Sequence, residues 1–588
     1  MYGFHNKLLR IDLTKKSYKV EKIDDEVFRK FLGGKGLGSY LLLKENPKGV
    51  DPLSPENKLL FVTGSLSDTK MQGSSRYGVF TKSPLTGIYS EAYSGGSVAP
   101  VIKKTGYDAI IIEGKSDGRT FLVVSDEGVE FKDASHIWGM DSYKTEDAVK
   151  EEVNIKGAQA VVIGPGGENL VKYACISNDY WRCAGRTGVG AVMGSKNIKA
   201  IVFHGKTECE IADPELMKTF VKDLIKKNID SPGVKAYKKF GTPMLVAIMN
   251  SKEGFPTEYW HKGTLENWDK ISAETMQEEM EVKPKACIKC FIACGKLSKI
   301  KNGKYKGTVV EGPEYETLYV FGGLCCIDDI NVITYLNDLC DRMGIDTMSA
   351  GNMVAFAIDA AREGKLDLDI KYGDADKVVQ LIEDIAYRRG IGNLLADGIK
   401  IASKELGLED LAIHVKGLEP SGYDPRVLKG MGLAYATAHR GACHLRATFY
   451  KPELSGIIDP DQIEGKAKLF VEYEDRLTLF DTYIMCRFYR DMLMWDELSI
   501  LLKASTGLDL GEKELREIAT NIVNATREFN VREGVTMKDD SLPKRFHDEP
   551  IGSENKVITR EDFNQLLADY YVERGWTKEG ETKRTVLI

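Results

Sequence analysis

DAIIIEG, residues 108–114, carries three consecutive isoleucines closed by a glycine. β-Branched side chains are stiff about χ1 and pack well on a pleated surface, and a glycine ends the run in a turn, so the stretch reads as a short strand. The same pattern recurs on both sides of it, in KLLFVTG (58–64), FLVVSDEG (121–128), AVVIG (160–164) and AIVFHG (200–205), while RIDL (10–13) and YKVE (18–21) alternate. A β-rich N-terminal domain is therefore expected over residues 1–210. Beyond it the period changes. Asp213-Pro214-Glu215 opens a helix. VITYLNDLCDRM (332–343), GNMVAFAIDAAREG (351–364), DKVVQLIEDIAYRRG (376–390), LREIATNIVNATREF (515–529) and EDFNQLLADYYVERG (561–575) then repeat apolar residues at helical spacing. The loop-rich KGLEPSGYDPRVLKGMG (416–432) divides them, giving an α+β chain with mainly helical domains over 211–415 and 416–588.

At 588 residues two or three packed domains are expected, with room to bury a large cofactor. The 81 basic and 88 acidic residues are interspersed and sum to −7, unlike the basic footprint of a nucleic-acid binder. No apolar run approaches the roughly 18 residues of a membrane span, and MYGFHNKLLRIDL (1–13) has no apolar leader, so a cytoplasmic protein is expected. Eleven cysteines, three of them between Cys287 and Cys294 and two adjacent at Cys325 and Cys326, indicate a metal site in a reducing compartment rather than a secreted disulfide framework.

Cys287-x2-Cys290-x3-Cys294 brings three thiols close enough to ligate one centre. An iron–sulfur cluster fits this spacing better than structural zinc, which would pair two C-x2-C knuckles or add histidines; inert buried thiols are the third reading. A fourth ligand is needed, and Cys325, Cys326, Cys340, Cys443 and Cys486 all remain open on spacing. GGKGLGSY (33–40), GSSRYGVFTKSPLTG (73–87) and RCAGRTGVGAVMGSKNIKAI (182–201) combine glycines with basic residues. Such loops can cradle a phosphate-bearing cofactor, since glycine lets backbone amides approach an anion and arginine binds phosphate oxygens bidentately; the plain alternative is tight turns with surface charge. None matches a dinucleotide or P-loop fingerprint.

RYGVFTKSPLTGIYSEAYSGG (76–96), RTGVGAVMGSKNIKAI (186–201), the three-cysteine motif, EGPEYET (311–317), LCDRMGIDT (339–347) and HRGACHLRA (439–447), in this order, resemble the aldehyde ferredoxin oxidoreductase family of tungsten- or molybdenum-pterin enzymes. The resemblance covers nearly the whole chain. It implies a β-rich N-terminal domain holding two pterins, two helical domains, oxidation of a small aldehyde to a carboxylic acid, and electrons passed through one [4Fe–4S] cluster to ferredoxin or an iron–sulfur subunit. Assembly as a homo- or hetero-oligomer is implied as well.

Residue by residue, the resemblance makes Cys486 the fourth cluster ligand, at the end of Asp481-Thr-Tyr-Ile484-Met485-Cys486, where the family has glycine in place of Ile484. The earlier copy, Asp341-Arg-Met-Gly344-Ile345-Asp346, and the later one with Arg487 would each grip one pterin. Arg76 and Arg182 would bind the pterin phosphates, Gly95 and Gly185 support their loops, Arg440 and Arg446 flank the site, and the carbonyls of Tyr93 and Cys183 hold a bridging Mg²⁺. Glu316 would be the base and His444 a hydrogen-bond donor at the reacting centre, with Glu314 as the fallback base; His439 would only line the loop. If EGPEYET runs extended past Pro313, only one of the two glutamates turns inward. Two other readings stand beside this one. A benzoyl-CoA reductase of the same family would be marked by an extra metal-bound cysteine, Cys325 or Cys326, and an iron–sulfur electron-transfer or scaffold protein would lack the pterins.

Overall fold

The computed structural model describes residues 1–583, 585 and 586. Twelve of its strands lie in the first 203 residues: β1 (Lys7–Asp12), β2 (Ser17–Lys22), β3 (Leu59–Val62), β4 (Tyr77–Lys82), β5 (Tyr89–Ser94), β6 (Ala109–Glu113), β7 (Thr120–Ser125), β8 (Gly128–Asp133), β9 (Gln159–Val162), β10 (Ile176–Asn178), β11 (Arg182–Ala184) and β12 (Ile198–Phe203). They form two six-stranded mixed sheets, β2-β1-β6-β3-β4-β5 and β11-β10-β9-β12-β7-β8. The isoleucine run is explained by its layer. In β6, Ile110 and Ile112 enter a core shared by both sheets, whereas Ala109 and Ile111 face a second core that also holds Phe28, Leu37 and Phe480. A strand covered on both faces has no polar side to alternate. β7 repeats the logic, with Leu122 and Val124 in the shared core and Phe121 and Val123 packed outward on Val149.

GGKGLGSY is not a cradle loop. It begins helix α1 (Gly34–Glu45), buried along most of its length. A Cβ on Gly34, whose φ is +45°, would lie 2.3 Å from the Asp481 carbonyl oxygen, so glycine here permits a helix to meet the C-terminal domain backbone to backbone. The rest of the chain is mainly helical, as expected, with α2 (Ile330–Met343), α3 (Thr347–Arg362), α4 (Lys466–Tyr483) and α5 (Glu512–Arg532) as the longer elements near the site. One departure is a three-stranded antiparallel sheet, β13 (Met280–Lys285), β14 (Gly295–Ile300) and β15 (Val309–Glu311), inside the stretch read as helical. Among the described residues no helix is long and apolar enough to cross a membrane.

Candidate active site

The unforeseen sheet is what presents the three cysteines. Lys285 of β13 pairs with Gly295 of β14, so residues 286–294 form the loop of a hairpin pinned at its base. Cys486 arrives from elsewhere: α4 ends at Ile484, which takes the left-handed φ of +63° that the family's glycine would take, and Cys486 starts the next turn. Gly73 joins the two. Its N–H donates to the Lys289 carbonyl at 3.0 Å and its carbonyl accepts from the Cys486 N–H at 2.9 Å. All four thiols line one cavity of about 350 Å³, and none is in a disulfide. Burial pushes the Cys294 and Cys486 thiols up, which a bound cation would reverse by taking the thiolates.

The same cavity is lined by Arg76, Tyr93, Gly95, Arg182, Cys183, Glu316, His444 and Arg487. The ends of the two sheets meet there through Asn178, whose Oδ1 accepts from Tyr77 at 2.9 Å and from Ser94 at 2.7 Å while its Nδ2 donates to the Gly95 carbonyl at 3.0 Å. Arg182 pairs with Glu311 on its near side. The two predicted aspartates lie behind the wall in unlike settings. Among the described residues the Asp341 carboxylate accepts only from Asn337, at 2.7 Å, and burial without a cation holds it well above the usual range. Asp481 bonds Arg487 at 2.6 Å and Arg446 at 2.9 Å, and those guanidiniums hold it low against its burial. Arg446 also pairs with Glu91, which takes Lys35 of α1 at 3.1 Å. Even so, Nε and Nη2 of Arg446 and Nε of Arg440 are buried without partners. Buried arginine donors facing no acceptor, and a buried carboxylate with no cation beside it, fit a polar heterocycle that offers both acceptor and N–H groups.

Some predicted residues sit apart from the cavity. Ile345 and Met485 have their side chains in apolar cores, leaving only backbone groups for a cofactor. Asp346 caps α3 through the Ser349 N–H at 2.9 Å and pairs with Arg186 at 3.3 Å. Gly185 offers its carbonyl to Arg440 at 3.4 Å. Cys325 is fully buried near the Gly351 carbonyl, and Cys326 opens on a separate surface hollow; neither reaches the cavity, which removes the feature that favoured the benzoyl-CoA reading.

In EGPEYET, Glu314 is extended, at φ −85° and ψ 166°, and leads into a helical turn, Tyr315–Thr317, that carries Glu316. Both glutamates line the cavity, against the expectation that only one turns inward, because the chain changes from extended to helical between them. Glu314 takes the Thr242 hydroxyl. Glu316 Oε2 accepts the Gly422 N–H at 3.0 Å, and its buried, unpartnered Oε1 lies 3.5 Å from His444 Nε2. Burial raises Glu316 to about 8 and keeps His444 neutral. A neutral imidazole beside a carboxyl titrating near working pH is an arrangement suited to moving a proton. Sequence reasoning did not find Lys35, Glu91, Arg186, Tyr423 or Tyr450 here; all but Tyr450 stood inside segments already quoted, but nothing local announced their contacts.

Residues 8–205 match the family model described as aldehyde ferredoxin oxidoreductase, N-terminal domain, and residues 219–588 match the one described as domains 2 and 3 of the same enzyme. The chain belongs to the aldehyde ferredoxin oxidoreductase family. It is an oxidoreductase of that family. Family relatives include the tungsten-containing aldehyde ferredoxin oxidoreductase of Pyrococcus furiosus, 37% identical over 601 residues with 100% of this chain and 98% of the relative covered. That of Thermococcus kodakarensis is 38% identical, with 99% and 98% covered. The WOR-like subunit of an aliphatic sulfonate oxidoreductase from P. furiosus is 29% identical, covering 100% and 97%. Among solved structures, the active-site complex BamBC of benzoyl coenzyme A reductase superposes with a TM-score of 0.84 at 24% identity, covering 99% of this chain and 96% of that one, which shows the fold.

Proposed function

We propose that the protein is a tungsten bis-pterin oxidoreductase that converts an aldehyde and water to a carboxylate, and passes the two electrons released to ferredoxin or an iron–sulfur partner. The observation that carries this reading is the Glu316–His444 pair at 3.5 Å in a cavity that four unpaired cysteines also line. Cys287, Cys290, Cys294 and Cys486 are the proposed ligands of one [4Fe–4S] cluster. Arg76 and Arg182 are assigned to the pterin phosphates, the carbonyls of Tyr93 and Cys183 to Mg²⁺, and Asp341, Asp481, Arg440, Arg446 and Arg487 to the pterin edges and their support. The pterin-bound metal, when present, supplies the two-electron acceptor.

Ionised Glu316 takes a proton from the attacking water at Oε1, while Oε2 stays oriented by the Gly422 N–H. His444 is neutral, so it can donate one N–H to the developing oxyanion without first gaining a proton. Tyr315, Tyr423 and Tyr450 border the cavity beside this pair. The test is anaerobic turnover: purified enzyme should reduce ferredoxin, or a viologen, only when an aldehyde is added, with the matching carboxylate as product. Fully metallated protein that reduces neither with any of a broad aldehyde set would overturn the reading.

A further inference from the structure

Arg186 follows β11 and enters the interior with its side chain almost wholly buried. Its φ is +66° and that of Thr187 is +61°. Two successive side-chain-bearing residues in the left-handed region, one of them β-branched, are uncommon and persist where the surroundings hold them. Here the Ser83 hydroxyl donates to the Thr187 carbonyl at 2.8 Å, and the Ser90 and Thr187 hydroxyls meet at 2.6 Å. The turn sends a guanidinium from the sheet domain into the later part of the chain, where all three of its nitrogens donate. Nε reaches Asp346 at 3.3 Å, Nη1 the Ala442 carbonyl at 3.3 Å, and Nη2 the Glu419 carbonyl at 2.8 Å and its carboxylate at 3.1 Å. A planar fork with fixed donor directions can hold several segments in one arrangement, which a single ammonium cannot.

Two of those anchors lead to the reacting pair. Glu419 opens the run Glu419-Pro420-Ser421-Gly422, in which the carbonyls of Pro420, Ser421 and Gly422 accept the hydroxyls of Tyr319 at 2.7 Å, Tyr435 at 3.0 Å and Tyr315. The last amide of that run is the one that orients Glu316. A Cβ on Gly422 would stand 2.7 Å from the Tyr319 ring and 2.9 Å from the Tyr315 ring, so the run is packed without slack. Ala442, the other anchor, lies two residues before His444. We propose that Arg186 is a positioning residue for the proton-transfer pair, one guanidinium fixing from the sheet domain both the segment that holds Glu316 and the segment that carries His444. This rests on the aldehyde reading above and adds no step to it. The charge of Arg186 acts as well. Facing Glu316 are Arg186, the Cys443 sulfur, the Asp346 carboxylate, His444 and the phenols of Tyr315, Tyr319, Tyr423 and Tyr435. Burial raises Glu316 and Arg186 opposes that rise, so removing Arg186 leaves Asp346 and Glu419 without this cation and lifts Glu316 further.

The test compares holoenzyme with its Arg186→Met and Arg186→Lys variants, with rates taken per bound tungsten on the most active aldehyde of the broad set. Arg186→Met should lower kcat by about 10–100-fold, the scale of a small misplacement of reacting groups, with KM little changed. Its kcat/KM should level off about one pH unit higher than in the parent enzyme. Arg186→Lys keeps the charge and loses the fork, so its kcat should fall too while its pH limb stays near the parent position. A loss confined to KM, a kcat deficit that vanishes when expressed per tungsten, an unmoved limb in Arg186→Met, or parent-level kcat in Arg186→Lys overturns the proposal. Arg186→Gln, which keeps part of the hydrogen bonding, reads the same kcat and limb if the methionine variant does not fold. If loaded enzyme oxidises no aldehyde, the proposed function fails. The positioning role is then judged by infrared titration of the Glu316 carboxyl band, identified by its loss in Glu316→Gln. It is supported if the midpoint rises in Arg186→Met and overturned if the midpoint stays.

Discussion

Glu316 and Glu314 differ by two positions and by everything their carboxylates touch. Glu316→Gln preserves shape and the Gly422 contact but removes the base, so turnover should fall by roughly 10²–10⁴ with tungsten and iron contents unchanged. Glu314→Gln, at a carboxylate held by Thr242, should lose far less. Near-normal turnover in Glu316→Gln would assign the base elsewhere. The pH profile gives an independent check. Burial lifts Glu316 to about 8, so below that value the protonated, inactive form dominates and the ionised fraction grows tenfold per pH unit. Aldehyde kcat/KM should therefore climb with pH and level off above about 8, and Glu316→Gln should lose that limb. Among the cysteines, Cys486→Ala should lose the cluster's absorbance and iron, whereas Cys340→Ala should keep both, because Cys340 is buried in α2 away from the cavity. Equal iron loss in the two would mean that core damage governs the result. Cys287, Cys290 and Cys294 were legible because their spacing is local, whereas Cys486 and Glu316 were reached only through the family resemblance. Lys35, Glu91 and Arg186 were not legible, since each is explained only by a partner far along the chain.

At the level of elements, periodicity exposed what burial wrote into it. Helices such as α2 and α5 have one strongly apolar face, α3 is buried nearly all round, and the central strands of the two large sheets have two apolar faces, so these runs were readable. α1 was hidden because its glycines, selected for close approach, look like turn residues. β13 was hidden because it is largely exposed and carries lysines and a proline, leaving no apolar pattern to read. Yet that strand sets the base of the cysteine hairpin. The tip of this hairpin rests against β5's following loop: the Ile288 N–H donates to the Gly96 carbonyl at 3.3 Å, and a Cβ on Gly95 would stand 3.0 Å from Cys287 Sγ. Gly95→Val should accordingly displace the hairpin and lower iron per chain. Full iron with an unshifted cluster signal in that variant would show that the loop has slack.

Over the whole molecule, the buried chain Lys35–Glu91–Arg446–Asp481 runs from α1 through β5 to α4 and ties the sheet domain to the C-terminal helices. Truncating one member strands the others in a dry interior, a loss of about 3–5 kcal/mol for a buried pair. Arg446→Met should lower the unfolding temperature and the yield of bound pterin together, measured by calorimetry and by pterin released on acid treatment; unchanged stability would reduce Arg446 to a ligand. Metal content tests the assembly entire, with about one tungsten and about four iron per chain expected from one bis-pterin and one cubane. Stoichiometric zinc without iron would defeat the cluster assignment.

The small hinge of peptide at Gly73 has a further consequence, for the order of events during synthesis. It holds the cysteine hairpin on one side and Cys486 on the other, yet Cys486 is made 192 residues after Cys294. At ribosomal speed that is a gap of roughly 10–40 s. Throughout it the nascent polypeptide shows three thiols and lacks the fourth. Under the proposed ligation, iron and sulfide can meet the complete set of thiolates only after residue 486 of 588 has been made.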